Sequence, residues 1–200
     1  MGGNLNAVMD LLPLRKGHFR LESGHHGSAW LDLELLCLQP APVRRLSAEL
    51  AARLEKYQIE VVCGPLVEGA FVAIMVAESL ALPFTYTERG PRSALSELFP
   101  FKYSLPRGLR ARVNGKRVAI VNDVINAGSA VRGTLDELVA FGAIPVAIGA
   151  LAVLGHGASM LAETHGLALE SLAALENEIW TPSECPLCAA SVPLSEEMDS

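Results

Sequence analysis

The run Val118-Ala119-Ile120-Val121-Asn122-Asp123-Val124-Ile125-Asn126-Ala127-Gly128-Ser129-Ala130 sets polar groups directly behind an apolar stretch and ahead of a helical pattern. At such a strand-to-helix junction the backbone N–H groups of the turn and the positive end of the helix converge on one point, which suits a phosphate monoester. Small residues at Ala127, Gly128 and Ser129 let the backbone come close, and the Ser129 hydroxyl can donate to the same anion. Asp123 sits where an acidic side chain could accept hydrogen bonds from two neighbouring sugar hydroxyls. Together these residues describe a cradle for a ribose 5-phosphate. The same pattern also fits a plain strand, turn and helix with a serine cap and a loop carboxylate, and pattern alone leaves both readings open.

Three other segments carry groups of interest. Cys63-Gly64-Pro65-Leu66-Val67-Glu68-Gly69-Ala70 is a second glycine-containing strand-to-helix turn whose bare backbone could approach an anion. Phe19-Arg20-Leu21-Glu22-Ser23-Gly24-His25-His26-Gly27 reads as a hairpin turn, with His26 cationic only part of the time near neutral pH. As adjacent residues in an extended chain, His25 and His26 should point in different directions rather than share a metal. Cys185-Pro186-Leu187-Cys188 has the spacing of half a zinc site. A symmetric dimer could complete it with four thiolates, and two free thiols in a loop tied down by Trp180 and Pro182 are the plainer alternative.

The elements that must position these groups follow from periodicity. Val43, Leu46, Leu50, Leu54 and Tyr57 recur at helical intervals, predicting an amphipathic helix over 42–57. A short β-branched strand follows over Ile59–Cys63, then a helix over 68–80 ahead of Pro83. Lys116–Val121 reads as a buried strand, Ser129–Phe141 as a helix and Ile144–Leu154 as a long buried strand. Strands alternating with helices imply crossover units, hence an α/β fold with a parallel sheet flanked by helices. Two regions stand outside that sheet: Gly17–Leu35, expected to form a small hood, and Glu88–Asn114, rich in Pro, Arg and Ser and expected to be a flexible loop. Within that loop, Leu98-Phe99-Pro100-Phe101-Lys102-Tyr103 is apolar enough to dock on the hood or on a partner. The expected organisation is a single domain over 1–180, its hood drawn from about 1–40, and a Cys-x-x-Cys tail over 181–200 whose last residues, Ser195–Ser200, fray.

Composition narrows the class. Two hundred residues, half of them apolar, can bury one substantial core. A net charge of −6 without a dense basic run argues against sequence-independent nucleic-acid binding. No stretch reaches the roughly 18 apolar residues that a membrane span needs, and the start MGGNLNAVMDLL lacks the pattern of a secretory signal, so a cytoplasmic protein with reduced thiols is expected.

The stretch from Val118 to Ala130 resembles the phosphoribosyl pyrophosphate (PRPP) motif of type I phosphoribosyltransferases: four apolar residues, two acidic positions, then a phosphate loop. The first acidic position is Asn122, which keeps an acceptor but loses charge. The hood segment is similar to the Phe-x-Leu-x-Ser-Gly hairpin of orotate phosphoribosyltransferases, with His26 where those enzymes commonly carry lysine. The resemblance implies that Ser23 and Gly24 cover the base, that Gly64, Pro65, Glu68 and Gly69 form the diphosphate loop, and that Asn126 to Ala130 hold the 5-phosphate. It further implies that Asp123 and Asn122 hold the ribose, that Arg132 meets the carboxylate of orotate, and that His26 and Arg89 stabilise charge. Arg89, Arg92, Lys102 and Arg107 stand where the family's loop carries an arginine, lysines and a histidine. The implied reaction joins PRPP and orotate to form orotidine 5'-phosphate and diphosphate in pyrimidine biosynthesis, with Mg2+ and in a homodimer. Another base, or a PRPP-sensing regulator that has lost catalytic power, are the alternatives that Asn122 and the altered loop keep open.

Overall fold

The computed structural model describes residues 7–94 and 96–195. Its main sheet has six strands in the order β5-β4-β3-β6-β7-β8: β3 (Val61–Pro65), β4 (Phe84–Arg92), β5 (Phe101–Ser104), β6 (Arg117–Ile125), β7 (Ile144–Leu154) and β8 (Ala168–Leu175). All neighbours are parallel except β4 and β5, which form an antiparallel ribbon at one edge. A second sheet, the hood, joins β1 (Leu14–Arg20), β2 (His26–Leu31) and the two-residue β9 (Ile179–Trp180).

Helices cover both faces, as parallel pairing requires. On one side lie α1 (Pro40–Leu54) and α2 (Glu68–Leu80), and Val43, Leu46, Leu50 and Leu54 bury the stripe seen in the sequence against Val62, Val121 and Leu151. Val8, Leu12, Leu31 and Leu36 share that core, so the hood is packed onto the sheet rather than tethered to it. On the other side α4 (Ser129–Ala140) and α5 (Gly157–His165) bury Val131, Leu135, Leu138 and Leu161 against Val118, Ile120 and Ile148. Two short helices, α3 (Arg110–Val113) and α6 (Pro186–Ala189), also lie among the described residues.

Several expectations shift in detail. The first helix ends at Leu54 and tightens into a 3-10 turn over Glu55–Tyr57. Strand β3 runs Val61–Pro65 rather than from Ile59. Strand β6 extends to Ile125, because its pairing with β7 continues through Ile125↔Val153, and so Asn122 and Asp123 lie inside the strand. Part of the segment expected to be a flexible loop is paired: β4 continues through Arg92, β5 returns beside it, and the Phe99 N–H donates to the Ser23 carbonyl of the hood at 2.8 Å. Of the tail, 196–200 lies outside the described residues, and the Ser195 N–H donates to the His18 carbonyl.

Candidate active site

The C-terminal ends of β3 and β6 deliver two loops to one place, the position where open parallel sheets bind ligands. Strand β6 passes through Asn126 and Ala127 into α4, with Gly128 at φ 80° as the residue before the helix and no side chain capping the first turn. The first-turn amides of α4 therefore have no side-chain cap from the residue before the helix. Crowding holds this turn in place, since a Cβ on Gly157, at the start of α5, would stand 2.4 Å from the Asn126 carbonyl oxygen. Asn126 Oδ1 accepts from Asn177 Nδ2 at 3.1 Å.

Asp123 is buried, and its Oδ2 has no hydrogen-bond partner. Burial pushes its carboxyl up to about 7, the negative charges of Glu68 and Glu22 add to the rise, and the Val124 N–H opposes it. A buried oxygen without a partner is costly unless a ligand satisfies it. Asn122 is also buried: its Nδ2 donates to the Val124 carbonyl at 2.8 Å, and its Oδ1 lies 2.0 Å from where a Cβ on Gly69 would be. Gly69 is therefore a close-approach glycine that fits the β3–α2 turn against the β6 motif. Gly64 and Pro65 are buried at the end of β3, and Glu68 opens α2 half-buried. The Leu66–Val67 peptide in this turn is cis.

At the β6–α4 junction lies Glu22 of the hood, a residue to which no sequence motif assigns a role. Its Oε1 accepts from Ser129 Oγ at 2.9 Å and from the buried Tyr103 hydroxyl at 2.8 Å, and its Oε2 accepts from Arg89 Nη1 at 3.2 Å. Arg89 also lies over the Phe101 ring. Phe99 packs edge-on against His25 and carries the Arg132 guanidinium 4.7 Å above its ring centre, so hood, ribbon and α4 meet at one aromatic side chain. Gly24, at φ 84°, allows this closure, because a Cβ there would stand 2.1 Å from the Glu97 carbonyl oxygen. Ser23 is buried beside it and its Oγ contacts His25 Nδ1 at 3.0 Å.

The structure thus brings together Asp123, Asn122, Asn126 to Ala130, Gly64 to Gly69, Ser23, Gly24, Arg89 and Arg132. It does not bring His26 to them. The His26 ring faces the other way, its Nδ1 lying 3.1 Å from His18 Nε2 and 3.2 Å from Cys188 Sγ. His25 and His26 diverge, as expected of neighbours in an extended chain.

A mostly parallel sheet with an antiparallel edge ribbon, flanked by helices, with a hood and with turns after β3 and β6, matches the fold of type I phosphoribosyltransferases. Solved structures of that class share the fold: orotate phosphoribosyltransferase from Aeropyrum pernix (20% identical, TM-score 0.59, covering 82% of this chain and 88% of that one) and adenine phosphoribosyltransferase from Thermoanaerobacter pseudethanolicus (18% identical, TM-score 0.66, covering 84% and 98%). No family model matches the chain. Among curated proteins, orotate phosphoribosyltransferases from Desulforamulus reducens (31% identical over 177 residues, 88% of this chain and 85% of the relative) and Helicobacter pylori (33% over 190 residues, 90% of each) are similar to it. The same holds for that of Thermotoga maritima, 31% identical over 180 residues and covering 90% of this chain and 89% of the relative. The chain belongs to the orotate phosphoribosyltransferase family.

Proposed function

We propose that this protein transfers the phosphoribosyl group of PRPP to orotate, forming orotidine 5'-phosphate and diphosphate in pyrimidine biosynthesis. The observation that carries the reading is the unpartnered, buried Oδ2 of Asp123 beside a helix start that no side chain caps. A carboxylate there accepts from the two ribose hydroxyls while the amides from Ala127 to Ala130 take the 5-phosphate. Gly64 to Gly69 offer backbone to the diphosphate. Arg132 faces the carboxylate of the base, a group that a guanidinium matches with two parallel hydrogen bonds. As the base nitrogen bonds to C1 and the C1–O bond to diphosphate breaks, positive charge grows on the sugar. Asp123, held ionised by the bound diol, lies on the side of that charge. The hood and ribbon, closed through Phe99, exclude water that would hydrolyse the activated sugar.

Mg2+ fits this oxygen-rich surrounding, since it takes few protein ligands and the carboxylates of Asp123, Glu68 and Glu22 are hard donors nearby. When bound with PRPP it would neutralise the departing diphosphate. Filling the site requires Ser129 to exchange its bond to Glu22 for one to phosphate. A homodimer is part of the proposal, supported by Phe71 and Ile74, which α2 leaves exposed. No helix among the described residues is long and apolar enough to cross a membrane, and a cytoplasmic location is proposed on that and on the thiols. The test is a spectrophotometric assay with orotate, PRPP and Mg2+ beside a panel of other bases and a direct PRPP-binding titration. Turnover with orotate supports the proposal, turnover only with another base moves the specificity, and binding without turnover points to a PRPP sensor.

A further inference from the structure

His18 and His26 of the hood and Cys185 and Cys188 of the segment after β9 converge on one point. Their ligand atoms all lie within 4.8 Å of one another. The separations are 3.1 Å from His18 Nε2 to His26 Nδ1, 3.4 Å from His18 Nε2 to Cys185 Sγ, 3.7 Å from His18 Nε2 to Cys188 Sγ, and 3.2 Å from His26 Nδ1 to Cys188 Sγ. A zinc ion with bonds of about 2.05 Å to nitrogen and about 2.3 Å to sulfur has tetrahedral edges of about 3.3 Å between nitrogens and about 3.5 Å between nitrogen and sulfur. The four observed edges match these to within a few tenths of an ångström, and the remaining two are no longer than 4.8 Å. His18, His26 and Cys185 are buried, and Cys188 forms the outer rim.

The surroundings fit a metal ligand set. His18 Nδ1 lies 2.8 Å from the Val192 carbonyl oxygen, which makes that nitrogen the N–H donor and turns the Nε2 lone pair into the cluster. A backbone acceptor behind a ligating histidine is the common arrangement at zinc sites. Cys185 and Cys188 flank the first turn of α6, so their three-residue spacing puts both sulfurs on one side. The four ligands come from both ends of the chain, and the covalent path between Cys185 and His18 is 167 residues long.

We propose that these residues form a structural Cys2His2 zinc site within a single chain, which clamps the segment after β9 to the hood. Four protein ligands in a closed tetrahedron leave no open position, so the ion has a structural rather than a catalytic role. Its need is visible in the pairing: β9 joins β2 through His26↔Trp180 and Gly27↔Ile179 alone, too short a ladder to hold the tail by itself. The zinc also accounts for His26, whose ring is directed to the thiols and not to the base. This proposal stands whether or not orotate is the substrate.

Elemental analysis of the purified full-length protein should give about one zinc per chain, falling near zero in Cys185→Ser/Cys188→Ser. Cobalt titrated into chelator-treated protein should give the visible bands of a tetrahedral ion and the near-ultraviolet band of thiolate ligation, saturating at one equivalent. Cys188→Ser, altering the exposed ligand, serves where the double variant fails to fold, and should bind cobalt with a weakened thiolate band. Zinc at half an equivalent per chain, with cobalt bound only by dimers, would replace the single-chain site with a shared one. Absence of zinc together with no tetrahedral cobalt spectrum, or iron in place of zinc, overturns the proposal.

Discussion

Replacing Asp123 by Asn should make the free protein more stable at alkaline pH while removing its grip on PRPP. The carboxyl is buried and pushed up to about 7, so the folded chain holds this proton more tightly than the unfolded chain does. Below the ordinary carboxylate range both states are protonated and the group is neutral to folding. As pH rises through about 4 towards 7 the unfolded chain releases the proton first, and stability falls until the folded carboxyl also ionises. Each pH unit between the two values is worth about 1.4 kcal/mol, so ionised Asp123 costs the fold roughly 4 kcal/mol above pH 7. An amide of the same shape avoids that penalty but leaves its own polar atoms poorly satisfied, at about 1–3 kcal/mol. The net gain for Asp123→Asn at pH 8.5 is therefore about 1–3 kcal/mol, a rise of several degrees in Tm for a chain of this size. At pH 4.5 the gain should vanish or reverse. PRPP affinity should fall about 100-fold at pH 8.5, since two charge-assisted hydrogen bonds to the diol weaken. Thermal unfolding at both pH values and calorimetric titration with PRPP read these effects. An equal change in Tm at the two pH values, with PRPP affinity intact, would refute the reasoning.

Three further substitutions probe the closed site. Glu22→Gln removes a negative charge bonded to Ser129 Oγ, and PRPP should bind about fivefold more tightly, the equivalent of about 1 kcal/mol of relieved repulsion; calorimetry checks it, and weaker binding would give Glu22 a direct part in holding substrate. Gly24→Ala puts a Cβ against the Glu97 carbonyl and an L-residue at φ 84°, so the hood and ribbon should separate. That should cost about 1–2 kcal/mol of stability and speed hydrogen exchange at the Phe99 amide, measured by mass spectrometry. Arg132→Ala should raise the KM for orotate at least tenfold, by loss of about 1.5–3 kcal/mol of charged hydrogen bonding, and leave the KM for PRPP nearly unchanged; equal effects on both would count against its assignment to the base.

The sequence carried the body of the sheet because its signals there are local. Helix α2 lies over Glu68–Leu80 and strand β7 over Ile144–Leu154, matching the expected bounds, since a turn on either side and an unbroken apolar run define each. Strand β8 was not legible: Ala-Leu-Glu-Ser-Leu-Ala-Ala-Leu has a helix former's composition and no β-branched residue, and it is a strand only because β7 pairs with it. Helix α5, nine residues long, gave too few turns for a periodic pattern. At the site, the β6–α4 motif was readable because its groups are contiguous. Glu22 was hidden in an alternating hairpin whose inward face the sequence does not mark. His18 was missed for a different reason, lying 167 residues from Cys185; the available clue was a lone Cys-x-x-Cys together with a hairpin bearing histidines on both strands. The role expected of His26 came from its place in the hood motif, and its ring is turned instead to His18 and Cys188, partners that no local pattern announces.

A crystal structure of the complex with PRPP and Mg2+ tests the central claim most directly. The account expects the 5-phosphate on the amides from Ala127 to Ala130, Ser129 Oγ turned from Glu22 to that phosphate, and both ribose hydroxyls on the Asp123 carboxylate. A complex in which PRPP lies elsewhere, with Asp123 Oδ2 still without a partner and the α4 amides not touching phosphate, would contradict it.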